Sequence, residues 1–230
     1  MKFCRKHKDK TAAAWKSHVD GCGDFKEFIF YPVELQPTFQ KLRAKWTYMT
    51  KAEKKLPAFQ RPKRWFPQKQ WKKTKKFKVF GLTTSTGKQL NFEVPFGKDN
   101  FNSAIWAKYL KKRVAPFLRR CFPEKESFHL LLDGEGLLHA PEAKRAMREN
   151  RISTLKDWPA YSPELNPQEH VWTQAEPTLR KLETGEDEYG PWKKKVMAAI
   201  KAYPSPEKLV GSMARRVKEC LARNGAMLDE

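Results

Sequence analysis

The sequence has few cysteines, no long apolar run and a shortage of acidic residues. Four cysteines in 230 residues are far below the density of a disulfide scaffold and fit a reducing compartment, the cytosol or the nucleus. No segment approaches the roughly 18 to 20 consecutive apolar residues of a membrane span. Residues 1–10 lack the apolar stretch of a signal peptide. We therefore expect neither a disulfide scaffold nor a membrane protein.

Basic residues exceed acidic residues by a wide margin. The chain has 47 Lys and Arg against 26 Asp and Glu, a formal net charge of +21, and its 40% apolar residues suffice for a core. Such an excess attracts polyanions and costs self-repulsion, so a nucleic-acid partner is the favoured interpretation. A solvated basic surface is the alternative. The length predicts one domain with a small extension.

The basic residues are concentrated in residues 51–78. This segment has twelve Lys or Arg against one Glu, with five aromatic residues and three prolines among them. Positive charge contacts phosphates and flat rings stack on bases, so we interpret the segment as an insertion that faces DNA. The alternative is a solvated loop whose rings pack on the core. The predicted nucleic-acid contacts in the segment are Arg61, Lys63, Arg64, Trp65, Lys69, Trp71, Lys72, Lys73, Lys75 and Lys76.

Residues 1–24 form a basic N-terminal segment with a possible metal-binding spacing. Cys4 and His7, followed by His18 and Cys22, are spaced as zinc ligands can be. The Cys-His-His-Cys order is unusual for a zinc finger and few apolar residues surround it, so ordinary surface residues are the favoured interpretation. The segment is too short for a helix-turn-helix module, and we interpret it as the remnant of a DNA-binding region.

Hydrophobic patterns predict strands in the first half of the chain and strand-helix alternation afterwards. Runs of β-branched and aromatic residues predict strands at residues 25–31, 45–50, 79–84, 89–94, 127–132 and 152–158. Helical periodicity predicts helices at residues 101–122, 140–150, 167–176, 191–202 and 206–223. This order favours an α/β fold, with a mixed sheet and helices on its faces.

Two carboxylates stand at the ends of predicted elements. Asp133 directly follows the strand at 127–132, and Glu169 lies at the start of a helical pattern. Side chains at the ends of neighbouring elements can converge, and two-metal phosphodiester chemistry requires such carboxylates. Each carboxylate alone is equally well explained as a helix cap or a surface charge.

The residues around this pair resemble those of mariner-superfamily transposases, which are DDE/D enzymes with a ribonuclease-H-like core. The motifs that carry the resemblance are Leu132-Asp133-Gly134, His139, Asp157-Trp158-Pro159-Ala160, the run SPELNPQE from Ser162 to Glu169, and Trp172. The 35 residues between Asp133 and Glu169 are also close to the family spacing. The resemblance covers about residues 25–183 and is firm from residue 128 onwards.

The resemblance implies a ribonuclease-H-like, mixed five-stranded sheet flanked by helices in residues 25–183, with a helical C-terminal extension at residues 184–230. It implies two Mg²⁺ or Mn²⁺ ions, with Asp133 as the second ligand and Glu169 as the third, and DNA strand cleavage and transfer at transposon ends. His139 would contact DNA or orient a ligand, unless it is a plain surface imidazole. The implied partner is double-stranded DNA; a homodimer and a nuclear location also follow from the resemblance.

One expected ligand is missing from this pattern. In the family the first Asp ends the first strand, and Pro32 takes that position here, although its side chain binds no metal. We expect Glu34 to replace it by way of a bulge, with Asp24, before the predicted strand, as a weaker candidate. The alternative function is a catalytically inactive, transposase-derived DNA-binding protein, and a basic RNA-binding factor is a weaker third.

Overall fold

The structure, a computed structural model, describes residues 2–30, 75–95, 101–155, 157–159, 162–182 and 188–225. Its strands are β1 (Gly21–Phe30), β2 (Lys75–Thr84), β3 (Gln89–Val94), β4 (Phe128–Leu132) and β5 (Ile152–Thr154). They form one sheet in the order β3-β2-β1-β4-β5. β1 pairs antiparallel with β2 and parallel with β4, β3 is antiparallel to β2, and β5 is parallel to β4. The predicted mixed five-stranded sheet is confirmed.

Helices cover both faces of this sheet. The α-helices are α1 (Lys2–His7), α2 (Ala12–His18), α3 (Ser103–Tyr109), α4 (Ala115–Cys121), α5 (Pro141–Glu149), α6 (Pro167–Leu182), α7 (Tyr189–Lys201) and α8 (Met213–Ala222). A π-helical turn, Leu110–Val114, joins α3 to α4, so the single helix predicted at 101–122 is continuous but contains a π-bulge. None of the described helices is both long and apolar enough to cross a membrane.

The core consists of two apolar clusters, one on each face of the sheet. One cluster packs β1 and β2 against α1, α2, α6, α7 and α8, and it buries the indoles of Trp15, Trp172 and Trp192. The other packs the opposite face against α3, α4 and α5 around Trp106. Because a strand directs successive side chains to opposite faces, Phe28 of β1 belongs to the first cluster and Phe25 belongs to the second. This alternation decides which side chains of β1 can meet α6.

Local sequence features explain several element boundaries. Gly87 has φ +86°, a conformation that favours glycine, in the turn that joins the antiparallel strands β2 and β3. Asn102 begins α3, since its Oδ1 accepts a hydrogen bond from the Ile105 amide at 3.0 Å. Pro141 occupies the first turn of α5, where no amide donor is required.

The structure also differs from the sequence expectations at several boundaries. β1 begins at Gly21, four residues earlier than predicted, and β2 begins at Lys75 rather than at residue 79. The helix predicted to end near residue 176 continues through Pro177 to Leu182. The basic N-terminal segment contains two short helices, and the strand predicted at 45–50 lies outside the described residues.

Candidate active site

The first strand carries an aspartate next to Asp133. In the parallel ladder between β1 and β4, Gly23 pairs with Leu132. The residues that follow this pair are Asp24 and Asp133, so the chain brings two carboxylates side by side where the two strands diverge. The expectation that Asp24 precedes the first strand is wrong, because β1 starts at Gly21 and includes it. Among the described residues of β1, Asp24 is therefore the carboxylate that lies beside Asp133.

The pleat of β1 directs Asp24 towards the helix that carries Glu169. Phe25 faces the other way, with its ring 4.9 Å from that of Trp106 in the opposite cluster. Phe28 lies on the same face as Asp24 and contacts Trp172 of α6, with ring centroids 6.1 Å apart. The even-numbered residues of β1 thus face α6.

Glu169 lies in the first turn of α6, whose start is fixed by Asn166. The Asn166 Oδ1 accepts a hydrogen bond from the Gln168 amide at 3.1 Å, and its backbone carbonyl accepts one from the Glu169 amide at 3.1 Å. Asn166 is fully buried, so this cap is shielded from competition by water. Pro167 restricts the backbone at the first helical position. The Asn-Pro-Gln-Glu sequence therefore sets the direction in which the Glu169 side chain leaves the helix.

Close packing between α6 and β2 holds this helix against the sheet. A Cβ atom on Gly81 would lie 2.8 Å from Cζ2 of Trp172 and 2.7 Å from Nε2 of Gln168, so only glycine allows this approach. Thr83 Oγ1 donates a hydrogen bond to Gln168 Oε1 at 3.0 Å. The position of Glu169 thus depends on two residues of β2 that sequence patterns did not single out.

The carboxylates of this face act on one another electrostatically. Burial raises the pKa of Asp24 to about 9, assisted by a hydrogen bond with Glu169 and by the negative charges of Glu169 and Asp133. The Asp24 side chain is only 3% exposed, and its Oδ1 accepts a hydrogen bond from the Phe25 amide at 2.7 Å. Asp24 therefore holds its proton at neutral pH, which reduces the repulsion among the carboxylates of this face.

Two lysines pair with acidic residues around these carboxylates. Lys26 Nζ lies 3.2 Å from Glu169 Oε2, on the face of β1 that also carries Asp24. Lys78 Nζ lies 2.6 Å from Glu135 Oε1 and 4.6 Å from the ring centroid of Phe25. Glu135 follows Asp133 by two residues, but its carboxylate forms an ion pair with Lys78. We therefore do not group it with the carboxylates of Asp24 and Glu169.

His139 supports the backbone at Asp133. It ends the 3₁₀ turn Gly136–His139, and its Nε2 lies 2.7 Å from the carbonyl oxygen of Asp133. Because a carbonyl oxygen only accepts, Nε2 carries the proton in this contact. His139 thus lies beside the site as expected, and it fixes the segment that leaves β4.

The donor set fits a hard divalent cation by its chemistry. Carboxylate oxygens are the preferred ligands of Mg²⁺ and Mn²⁺, and Asp24, Asp133 and Glu169 share one face of the sheet. Burial, assisted by the neighbouring carboxylates, raises the pKa of Asp24, and a bound cation would favour its ionised form. Among the described residues no three His, Cys, Asp or Glu side chains are already gathered into a metal-binding cluster. The carboxylates are thus neighbours, and Lys26 forms an ion pair with that of Glu169.

The other predicted ligand and most predicted nucleic-acid contacts are not part of the described structure. Glu34 and the insertion residues 51–74 lie outside the described residues. Lys75 and Lys76, assigned to that insertion, are instead the first residues of β2. The Lys75 Nζ lies 5.5 Å from the Tyr189 ring centroid, and the Lys76 carbonyl accepts a hydrogen bond from the Tyr189 hydroxyl at 3.3 Å.

The zinc-like spacing in the N-terminal segment does not produce a metal cluster in the part of the chain that the structure describes. Cys4 and Cys22 are buried rather than on the surface, and burial raises the pKa of each thiol to about 12, which opposes the thiolate form that zinc requires. His7 Nε2 lies 3.2 Å from Asp157 Oδ2. The ring of His18 packs against that of His129, with centroids 4.9 Å apart.

A family model described as DDE superfamily endonuclease matches residues 50–188, which is more than half of the chain. The matched region contains Asp133 and Glu169, and it begins after Asp24. No curated protein matches the chain.

Solved structures of Mos1 share the fold. The catalytic domain of Mos1 mariner transposase superposes with a TM-score of 0.58 at 15% identity, covering 99% of this chain and 90% of that one. The Mos1 transposase paired-end complex with left transposon end gives a TM-score of 0.61 at 18% identity, covering 99% of this chain and 60% of that one. The paired-end complex with Mg gives 0.60 at 18% identity, covering 100% and 64%. The chain thus spans about 60% of the length of the Mos1 chain in the paired-end complex. It belongs to the DDE superfamily of endonucleases, and its fold is the ribonuclease-H-like fold of the mariner Mos1 catalytic domain.

Proposed function

We propose that this protein is a metal-dependent transposase that cleaves and joins DNA strands at transposon ends. The observation that carries the proposal is the position of Asp24, which follows the Gly23–Leu132 pair of the ladder, beside Asp133 and in contact with Glu169. The inactive alternative rested on Pro32 at the position of the first aspartate. Asp24 removes that reason, because it supplies a carboxylate from β1.

The side chains have distinct tasks in this proposal. Asp24 and Asp133 hold the cations from two adjacent strands, and Glu169 holds them from the helix. Two such ions supply activation of the attacking water or 3′-hydroxyl and stabilisation of the leaving oxygen. His139 keeps the strand end at Asp133 in place, and Asn166 aims Glu169. Mos1 complexes solved with Mg and with Mn support the choice of metal.

DNA is the proposed partner. The net charge of +21 favours a polyanion, and Mos1 was solved as a complex with a transposon end. We propose that residues 51–78 and the catalytic face contact the duplex together, and that the protein acts in the nucleus, where such DNA lies. A homodimer that pairs two ends belongs to the same proposal, and light scattering of the protein with and without terminal-repeat duplex tests it.

Nicking assays test the catalytic assignment. Wild type is incubated with Mn²⁺ and a supercoiled plasmid or a labelled terminal-repeat duplex. We expect Asp24→Asn, Asp133→Asn and Glu169→Gln each to reduce nicking by at least about 100-fold, the upper end of the loss caused by residues that only support a metal ligand. Glu135→Gln is the matched control and retains nicking, because Glu135 pairs with Lys78.

Two further outcomes separate the alternatives. Loss of nicking in Glu34→Gln together with its retention in Asp24→Asn would assign the first ligand to Glu34 instead. Duplex binding by a wild type that never nicks in Mg²⁺ or Mn²⁺ would establish the inactive DNA-binding protein. Binding of single-stranded RNA in preference to duplex DNA would support the RNA-binding factor.

A further inference from the structure

Lys26 occupies the catalytic face together with the carboxylates. It lies two residues after Asp24 on β1, and its Nζ is 3.2 Å from Glu169 Oε2. We propose that Lys26 is the internal counter-cation of this site: its ammonium binds Glu169 when no divalent ion is present and releases that carboxylate when the ion binds. The inference rests on the proposed function, because it treats Glu169 as a metal ligand.

The charges on this face explain why such a group is needed. Asp24, Asp133 and Glu169 bring three carboxylates to one side of the sheet, and Asp24 is almost completely buried. Carboxylates that share a site repel one another unless protons or cations compensate them. Lys26 provides one full positive charge at Glu169. It therefore supports the folded state of the metal-free protein.

The geometry also makes the ammonium easy to displace. The backbone of Lys26 is fixed, since β1 pairs with β2 along its whole length. Its side chain, in contrast, is a flexible four-carbon stem, and the Lys26 and Glu169 side chains are 33% and 19% exposed. An ion pair with this exposure to water is weak and is easily exchanged for a divalent ion.

Lys78 provides an internal comparison. It is also a lysine of a central strand, and it also pairs with a glutamate near Asp133, at 2.6 Å. Its partner is Glu135, to which we assign no metal-binding role. Lys26 therefore pairs with a carboxylate that we assign to the cation, whereas Lys78 pairs with one that we do not.

The opposite role for Lys26 predicts an effect of opposite sign. If Lys26 served to orient Glu169 as a ligand, then its removal would weaken metal binding, as loss of supporting residues does. If it competes with the cation, then its removal strengthens metal binding. The sign of the change in metal affinity therefore distinguishes competition from orientation.

Mn²⁺ binding to DNA-free protein, measured by titration calorimetry and by the metal-induced rise in unfolding temperature, tests the proposal. We expect Lys26→Gln to bind Mn²⁺ about two- to fivefold more tightly, the range expected from loss of a competing, partly exposed ion pair. Its unfolding temperature in EDTA falls. Lys78→Gln changes the Mn²⁺ affinity by less than about twofold, and Lys26→Arg, which keeps the charge, stays close to wild type.

Two results would overturn the inference in distinguishable ways. Unchanged or weaker Mn²⁺ affinity in Lys26→Gln, with wild-type binding that Glu169→Gln abolishes, overturns the role of Lys26 and leaves the proposed function intact. Absence of any wild-type Mn²⁺ binding that depends on Glu169 overturns the proposed function, and the role of Lys26 with it.

Discussion

Gly81 of β2 lies directly beneath the indole of Trp172, and a single methyl group between them would displace α6. We expect Gly81→Ala to lower the free energy of unfolding by about 1–3 kcal/mol, the usual cost of overpacking a core. Because α6 carries Glu169, the same variant should also lose nicking activity. Urea unfolding and plasmid nicking measure the two effects. Gly190→Ala is the control, since a Cβ there meets open space within α7, and it should retain nicking with no loss of stability.

Loss of the buried cap of α6 should weaken the helix start. Asn166→Ala removes the acceptor of the Gln168 amide, so we expect a loss of about 1 kcal/mol in the free energy of unfolding, within the range of about 0.5–2 for N-caps. Asn166→Ser, which restores a cap, should recover part of this loss. Equal stability of the alanine and serine variants in urea unfolding would contradict the capping role.

The raised pKa of Asp24 makes the stability of the metal-free protein depend on pH. The folded state holds the Asp24 proton more tightly than the unfolded chain does, so this contribution is complete below about pH 4 and is lost as the pH rises through about 9. Asp24→Asn lacks the titration and keeps an acceptor for the Phe25 amide. In EDTA it should therefore be more stable than wild type by about 1 kcal/mol or more at pH 9, since one pKa unit corresponds to about 1.4 kcal/mol.

Urea unfolding at pH 5, 7 and 9 measures this difference. The advantage of Asp24→Asn should grow with pH, whereas a constant difference at the three values would show that Asp24 does not titrate as described. Adding Mn²⁺ should stabilise the wild type more than Asp24→Asn, because the variant lacks one proposed ligand.

A buried guanidinium connects the last described helix to the segment before α6. Arg216 of α8 is 3% exposed, and its Nη1 donates a hydrogen bond to the Glu164 carbonyl at 2.6 Å. We expect Arg216→Met to cost about 1–3 kcal/mol, because the carbonyl loses a charged donor in a buried place. Arg215→Met is the matched control, since Arg215 is exposed and pairs with Glu219 one turn away, and it should stay within about 0.5 kcal/mol. Similar losses for the two variants would contradict the anchoring role.

The basic insertion should contribute to the salt dependence of duplex binding. Replacement of Lys72, Lys73, Lys75 and Lys76 by alanine should flatten the slope of log affinity against log salt by up to about 3.6, from about 0.9 per phosphate contact. Fluorescence anisotropy with a labelled duplex, at several salt concentrations, measures the slope. A change smaller by about 0.9 is expected if the Lys75 side chain stays beside Tyr189.

The control variant removes the same charge at Lys108, Lys111, Lys112 and Lys144, in the layer formed by α3, the π-helical turn and α5. Its slope should match that of the wild type. An equal change in both quadruple variants would mean that net charge, rather than the insertion, governs binding.

Motif and periodicity sufficed to predict the sheet and the helices on its faces, and they placed Asp133 after a strand and Glu169 at the start of a helix, where the structure has them. They missed the beginning of β1, because Gly21-Cys22-Gly23-Asp24 has low strand propensity and its strand conformation comes from pairing with two neighbours. Because the strand was predicted to begin at residue 25, Asp24 was placed before it and Glu34 became the expected first ligand. Cys22, Asp24 and Phe28 lie at even positions and therefore on one face of the strand. This pattern indicates Asp24 as a strand residue only if the strand is taken to begin at Gly21.

Other features depend on contacts that sequence patterns do not encode. A glycine such as Gly81 lowers the predicted strand propensity, and only the structure shows that it makes room for Trp172. The sequence does not distinguish Lys26 and Lys78 from the many other basic residues, and only the fold shows which glutamate each contacts. Pro177 predicts a break, yet α6 continues through it to Leu182.

Asp24 and Glu169 are held in unequal ways. Asp24 belongs to a strand bordered on both sides and has its Oδ1 fastened to the neighbouring Phe25 amide, whereas Glu169 extends from a helix on a longer side chain tethered by a lysine. In the proposed enzyme the strand side is therefore rigid and the helix side is adjustable. Ions of different radius would then be accommodated by rotation of the Glu169 side chain, and metal preference would be tuned at residues around α6 rather than within the sheet.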